Sequence, residues 1–292
     1  MSRNTEEIPV TINLLSEKNL KPLIHMKDLL NWNQTEDDIK RILQLNPNGN
    51  FGAYDGDRMT GTITTVVYGK ELGWIGMMIV DPEYRRRGVA TRLMNTALTF
   101  LHTHGIHTVK LDATPEGLPF YESMGFVSES TIERWEYLPS GDFESQVKPL
   151  EKSFLPAVIE LDTKAFGTDR SVLLHALLGD TQSSLLPLIS LSPFNGTLDG
   201  YAFARRGSNA YYVGPVIAKH MKAAMDLLNG MLGRLRNQKV YFDYSSKFGI
   251  PSGYFTRLGF EHQRSLTRMS LGGSASSATS QLVFAIAGPE LG

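Results

Sequence analysis

Two stretches of this chain, GLPFYESMGF at 117–126 and PSGYFTRLGF at 251–260, share an aromatic residue placed ahead of a Gly-Phe ending. Each closes the same succession. WIGMMIV, an amphipathic helix and VKLDA precede the first; YVGPVIA, a second such helix and VYFDY precede the other. A repeated strand–helix–strand unit constrains the fold more than any single residue, because one unit cannot bury its own apolar face alone. The repeat predicts two copies of one α/β unit, and 292 residues suit two domains at about 150 residues each. The competing reading is two unrelated α/β units with a chance likeness. PSGDFESQVKP (139–149) is polar, holds Pro and Gly and has no period, so it reads as a linker between domains at 1–138 and 150–292.

Composition removes several classes of function. The formal net charge is −1, which gives no whole-molecule field for nucleic acid or an anionic membrane. Cysteine is absent, so disulfides, thiol nucleophiles and thiolate metal sites are excluded together. His102 and His104 lie two apart on a helix and do not share a face, and no histidine cluster suggests a metal. No run approaches the roughly 20 apolar residues of a membrane span, and MSRNTEEIPV lacks the apolar core of a secretory signal. The expectation is a soluble, cytoplasmic protein.

VTINLL alternates as an opening strand, and residues 16–30 carry helix-spaced leucines. Thr35, followed by Glu36, Asp37 and Asp38, marks the start of a second helix. Asp55-Gly56 marks a hairpin turn. LGWIGMMIV is almost continuously apolar, as a strand covered on both faces should be. A helix over 89–104 then ends at Gly105. VSESTIERWEYL reads as the last strand of the first domain. The Ser- and Ala-rich stretch 274–280 reads as a flexible loop, and QLVFAIAGPELG as a closing strand.

The turn between the apolar strand and its helix is VDPEYRRRGVATRLM. The first N–H groups of a helix have no intrahelical acceptor and carry partial positive charge. Gly88 lets the backbone approach a ligand, and Arg85, Arg86 and Arg87 add full charges with forked donors. Together these suit a pyrophosphate. The plainer reading is a solvated charge run, but cations at a helix N-terminus oppose the macrodipole, and an anion would remove that conflict.

Arg85-x-x-Gly88-x-Ala90 resembles the R/Q-x-x-G-x-G/A signature of the GNAT superfamily of acyl-CoA-dependent N-acetyltransferases. The order of its context strengthens the likeness: an apolar strand ending Val-Asp-Pro, the signature, a helix, a strand, then FYESMGF with Tyr121 ahead of Gly125-Phe126. The resemblance covers residues 1–138. WNQTEDD, WIGM, KLDATPEG and the terminal AGPELG are similar to tandem-GNAT proteins. The likeness implies an α/β (α+β) fold of two tandem GNAT-like domains. Each would hold a mixed, mainly antiparallel sheet with a central parallel splayed strand pair flanked by helices.

The resemblance also implies a set of site residues. Acetyl-CoA would enter between the splayed strands, bonded by main-chain groups of Met78, Ile79 and Val80. Its pyrophosphate would sit on the N–H groups of Arg86, Arg87, Gly88, Val89, Ala90 and Thr91, with Arg85 beside them. A backbone N–H at a strand bulge would stabilise the tetrahedral oxyanion. Tyr121 would be the general acid that protonates the CoA sulfur; taken alone, it reads first as a core aromatic on a short helix, and the family pattern reverses that order. Asp112, an ionisable residue in an apolar strand, reads either as the general base or as a structural carboxylate paired with an Arg or a backbone N–H. Relatives also work with ordered water as the base. The family often carries an Asn ahead of the Tyr; Thr114 and Pro115 stand in that region, so Thr114 is the candidate CoA contact. Trp32, Asn33 and Gln34 lie in the acceptor-side link between the first two helices, where a Trp plugging the core is the alternative.

The second copy keeps Gly259-Phe260 but has Phe255 at the Tyr position and no R/Q-x-x-G-x-G/A turn. It is expected to be degenerate: to pack on the first domain, shape the acceptor pocket or form a homodimer interface. The expected activity is acetyl-CoA-dependent N-acetylation of a small-molecule primary amine, with no metal, nucleic-acid or membrane partner. The alternatives are a non-catalytic acyl-CoA sensor or scaffold, and a protein lysine acetyltransferase.

Overall fold

Thr35 begins the second helix as its sequence suggests: its hydroxyl accepts the Asp38 N–H at 3.2 Å while the Asp38 carboxylate accepts the Thr35 N–H at 2.9 Å. The computed structural model describes residues 9–180, 184–251, 253–273 and 279–292. The chain divides into two units, Met1–Lys110 with Leu291, and Leu111–Glu290 with Gly292. The first eight residues and most of the 274–280 stretch lie outside the described residues.

In the first unit, β1 (Thr11–Leu14), α1 (Leu20–Asp28), α2 (Glu36–Leu45), β2 (Phe51–Asp55), β3 (Arg58–Tyr68), β4 (Leu72–Val80), α3 (Val89–Thr103) and the start of β5 (Thr108–Ala113) follow in order. Strands β1 to β4 pair antiparallel in sequence order. β4 then pairs parallel with β5 through Leu72↔Thr108, Gly73↔Val109 and Trp74↔Lys110. The continuous apolarity of β4 has the expected cause: seven of its nine residues are buried. Gly61 and Gly73 let α3 lie close on the sheet, since a Cβ at either would come within 2.9 Å of Leu93 or Leu101 side-chain carbons.

The division between units falls inside β5, ahead of the repeat boundary read at 138, and β6 explains why. The second unit holds α4 (Leu118–Ser123), β6 (Val127–Tyr137), β7 (Val147–Pro149), α5 (Leu155–Phe166), α6 (Ser171–Gly179), β8 (Ser184–Leu191), β9 (Leu198–Arg205), β10 (Tyr211–Ala218), α7 (Met221–Arg234), β11 (Val240–Ser245), α8 (Tyr254–Arg257), β12 (Glu261–Leu271) and β13 (Val283–Ala285). β6 closes the first repeat in sequence, yet it pairs antiparallel with β11 on one side and β12 on the other. Both neighbours belong to the second repeat. The order from β12 is β12-β6-β11-β13-β10-β9-β8-β7. β7 lies in the stretch expected to be an aperiodic linker; three residues are too few to show a period, and Val147–Pro149 pair with β8.

Ion pairs mark the same exchange. Asp112 on β5 accepts from Arg268 Nε and Nη2 on β12, both at 2.9 Å. Asp243 on β11 accepts from Arg134 Nε and Nη2 on β6, both at 2.7 Å. With the two Gly-Phe pairs aligned, Arg134 and Arg268 are equivalent, as are the aspartates of VKLDA and VYFDY. Each repeat thus supplies the guanidinium for the other's carboxylate.

Among the described residues no helix is long and apolar enough to cross a membrane, and no group of His, Asp and Glu gathers as a metal site.

Candidate active site

The apolar strand β4 is not regular. Its register with β3 passes from Thr62↔Ile79 to Thr64↔Gly76, so Met77 and Met78 oppose Ile63 alone. This is a β-bulge, and Met77 takes φ +46°, a left-handed conformation that costs a non-glycine residue about 1–2 kcal/mol. Thr62 holds it there by donating its hydroxyl to the Met77 carbonyl at 2.6 Å. Pairing with β5 has stopped at Trp74, so Ile75–Val80 carry no ladder on that edge among the described residues. Ile79 is buried, while Met78 and Val80 are half-buried. The result is a bulged strand edge that leaves its pairing with β5 after Trp74, next to the turn that opens α3.

That turn is built for its N–H groups. Arg86 (φ +62°) and Gly88 (φ +77°) are both left-handed, and Gly88 caps α3 without a side chain. Arg92 is the first residue to donate back, to the Gly88 carbonyl at 3.1 Å. The N–H groups of Val89, Ala90 and Thr91 precede it and have no helical acceptor. Arg85 is tied to the strand end, its Nε donating to the Val80 carbonyl at 3.2 Å. Arg87 lies over the Tyr84 ring at 6.0 Å, and all three arginines are exposed. A strained arginine and a left-handed glycine thus open a 15-residue helix amid cations, an arrangement whose charge and free N–H groups suit an anion.

In the second unit, β5 ends in a turn made by Thr114. Its hydroxyl and its carbonyl both accept the Gly117 N–H, at 3.2 and 3.0 Å, which starts α4. Tyr121 on α4 is buried between Phe120 and Phe126, with edge-on ring contacts at 5.3 and 6.0 Å. Its hydroxyl has no hydrogen-bond partner among the described residues, and burial pushes the phenol well above its ordinary range. Asp112 is sealed from solvent with both oxygens on Arg268; burial raises its carboxyl and Arg268 opposes that shift.

Trp32, Asn33 and Gln34 form the link between α1 and α2. Asn33 and Gln34 are buried and Trp32 is half-buried. Lys27 clamps the link, its carbonyl accepting the Trp32 N–H at 3.1 Å and its Nζ donating to the Trp32 carbonyl at 3.4 Å.

The second repeat has the same frame with its parts replaced. Phe255 occupies the Tyr121 position: Phe260 N–H bonds the Phe255 carbonyl at 3.0 Å, as Phe126 N–H bonds the Tyr121 carbonyl at 3.1 Å. β10 is also bulged between Val213 and Val216, but this bulge contains Pro215, which has no N–H to offer. α7 is capped by its own His220, whose Nδ1 accepts the Ala223 N–H at 3.2 Å. The parallel pairing of β10 with β11 likewise ends after Tyr211↔Val240 and Tyr212↔Tyr241. Into the gap runs β13, antiparallel to both strands through Val216↔Ala285 and Tyr244↔Ala285. The Ile286 N–H donates to the Asp243 carbonyl at 3.0 Å, and the Arg205–Glu290 pair at 3.1 Å fixes the tail beyond it. Strand β13 thus fills the opening in the second repeat.

Sequence reasoning did not find Thr62, Met77, Arg268 or the insertion of β13. An aspartate in each copy's strand and an arginine equally spaced after each Gly-Phe were the available signals for the exchanged ion pairs.

Two family models match. Residues 19–126 fit the acetyltransferase (GNAT) family, and residues 158–285 fit an acetyltransferase (GNAT) domain. The uncharacterized N-acetyltransferase YitH of Bacillus subtilis (strain 168) is 28% identical over 223 residues, 73% of this chain and 75% of its own. The crystal structure of a Pyrococcus horikoshii protein assigned to the acetyltransferases aligns over 100% of this chain and 99% of its own, with TM-score 0.80 and 21% identity. A tandem GNAT protein from the clavulanic acid biosynthesis pathway aligns over 91% of this chain and 99% of its own, with TM-score 0.63 and 14% identity. The solved structures share the fold, and the matched models account for both repeats: this chain belongs to the GNAT acetyltransferase family and carries two GNAT domains in tandem.

Proposed function

We propose that the chain transfers an acetyl group from acetyl-CoA to the primary amine of a small molecule, and that only its first repeat does so. The turn from Arg85 to Thr91 carries this reading, because its left-handed residues and its N–H groups without a helical acceptor stand among three arginines, as a pyrophosphate site requires. In this reading Met78, Ile79 and Val80 bond the pantetheine arm through their main chain. The turn's N–H groups hold the pyrophosphate, and Thr114 is a further CoA contact through its hydroxyl hydrogen. Trp32, Asn33 and Gln34 form part of the acceptor surface.

The neutral amine attacks the thioester carbonyl carbon, forming the C–N bond and placing the negative charge on oxygen, where the bulge N–H stabilises it. Collapse breaks the C–S bond. Tyr121 gives its proton to the departing sulfur, which leaves as the thiol, and recovers a proton from solvent. The amine's excess proton passes to water. Asp112 serves as a strut, because its carboxylate is bound at both oxygens by Arg268 and Asp243 makes the same pair in a repeat that lacks the acid.

Calorimetric titration of acetyl-CoA tests the reading. One site per chain is expected. Replacing Gly88 by valine should abolish it, since a β-branched residue at φ +77° is strained and would have to reshape the cradle. Unchanged binding in the valine variant would exclude the cradle as the pyrophosphate site, and two sites per chain would overturn the restriction to the first repeat. Asp112→Asn should lower stability by about 3 kcal/mol in denaturant unfolding, as loss of one buried partner does. The apparent pKa of the kcat/KM profile should stay in place; a shifted profile would restore Asp112 as the base.

A further inference from the structure

The β2–β3 turn and the turn that leads to Gly88 are pinned together around one side chain. Arg58 Nη2 donates to Asp81 Oδ2 at 2.8 Å and to Glu83 Oε2 at 2.7 Å. Asp81 is buried, and its other oxygen accepts the Glu83 N–H at 3.0 Å while its carbonyl accepts the Tyr84 N–H at 2.8 Å. The Asp81 N–H in turn bonds the Thr60 carbonyl at 2.9 Å. Burial pushes the Asp81 carboxyl up, but the Glu83 N–H and Arg58 outweigh it and hold it below the usual range. Tyr84 donates its hydroxyl to Asp55 Oδ2 at 2.9 Å, and its ring has Arg58 at 5.1 Å and Arg87 at 6.0 Å.

We infer that Arg58 is a positioning residue for the anion cradle: it fixes the segment that aims Gly88 and cancels the carboxylates of Asp81 and Glu83 beside a site that takes pyrophosphate. The inference rests on the acetyl-CoA reading above. Two facts give it its form. First, the cradle is a run of main-chain N–H groups, so its aim is set by the segment entering it, and Arg58 contacts that segment at three of its side chains, Asp81, Glu83 and Tyr84. Second, the two turns hold Asp55, Asp57, Asp81 and Glu83 against Arg58, Arg85, Arg86 and Arg87. With Arg58 the two signs balance; without it the carboxylates outnumber the guanidinium groups, and the attraction for an anion falls. Arg58 is more than half exposed, so its ion pairs add little to stability. Its removal should therefore read out in anion binding, with the fold intact.

The test uses the full chain. Calorimetric Kd for CoA is measured at low and high salt, and KM for acetyl-CoA and kcat are measured with an amine substrate. Arg58→Gln should weaken CoA binding about tenfold, a difference of the size one charge-assisted contact makes. The deficit should shrink at high salt, where exposed charges are screened. KM for acetyl-CoA should rise in proportion, with kcat held within about twofold, the pattern of lost ground-state binding. Arg58→Lys should recover part of the loss by restoring charge without the fork. The double variant Arg58→Gln with Glu83→Gln should recover most of the electrostatic part by removing the uncompensated carboxylate. Unchanged affinity in Arg58→Gln would overturn the inference, as would a fall in kcat matching the fall in affinity, or no recovery in the double variant. A wild-type chain that fails to bind CoA would instead refute the cradle itself.

Discussion

Tyr121→Phe should lower kcat about 10²- to 10⁴-fold, the usual contribution of a positioned general acid, while leaving Kd for CoA within about twofold. The expectation rests on how the ring and the hydroxyl divide their work. The ring is buried against Phe120 and Phe126, and phenylalanine preserves those contacts, so α4 should fold unchanged. The hydroxyl has no protein partner among the described residues, which leaves its proton free to give. Burial disfavours the phenolate, so the hydroxyl stays protonated beyond the ordinary tyrosine value of about 10. Activity should therefore rise with pH as the acceptor amine loses its proton, with no alkaline fall assignable to Tyr121 below about pH 10. The same shift has a stability sign. Below the unfolded value both states hold the proton and pH has no effect through this group. Above it the unfolded chain ionises while the folded one does not, and stability falls. Steady-state kinetics on the purified variant is the check. A variant with wild-type kcat would remove Tyr121 from the chemistry and favour an acyl-CoA sensor.

Phe284→Ala should cost about 3–5 kcal/mol, as truncation of a fully buried aromatic does. Phe284 is the central residue of β13 and has no exposed surface. Its ring stacks on Phe242 at 5.9 Å and meets Tyr244, Phe248 and Phe255 edge-on at 5.8, 5.3 and 6.1 Å. These residues come from β11, α8 and the turn between them, so β13 supplies the common wall of that cluster. Scanning calorimetry should show the loss in the transition of the second unit. CoA stoichiometry should remain one per chain, since loosening β13 restores neither the N–H that Pro215 lacks nor a cradle at the start of α7. A second CoA site in this variant would show that the second repeat is a functional site held shut by β13.

The features readable in the sequence were local. Thr35 fixed a helix start because its capping box spans four neighbouring residues. The strand character of Leu72–Val80 and the opening of α3 at Gly88 depend on backbone preferences within a few residues, and the motif around Arg85 carries its own helix N-terminus with it. Tyr121 and Phe255 could be set side by side because the repeat made them equivalent. The bulge at Met77 was less accessible. A left-handed methionine has no compositional mark, and it is held by Thr62, which lies on the neighbouring strand.

The sequence by itself determined that the chain holds two related repeats, that the first carries the Arg85-x-x-Gly88-x-Ala90 turn and Tyr121, and that the second has neither such a turn nor that tyrosine. Tertiary structure alone decided which strands pair. β6 and β12 hold equivalent positions in the two repeats and are both 11 residues long, so each suits the same neighbours, and periodicity does not say which one it takes. The choice made here sends Arg134 to Asp243 and Arg268 to Asp112, which puts both oxygens of the candidate base on a guanidinium. It was likewise tertiary packing that placed Val283–Ala285 between β10 and β11. A short apolar segment satisfies its backbone at any open strand edge, and where it settles depends on contacts far away in the chain rather than on its own residues.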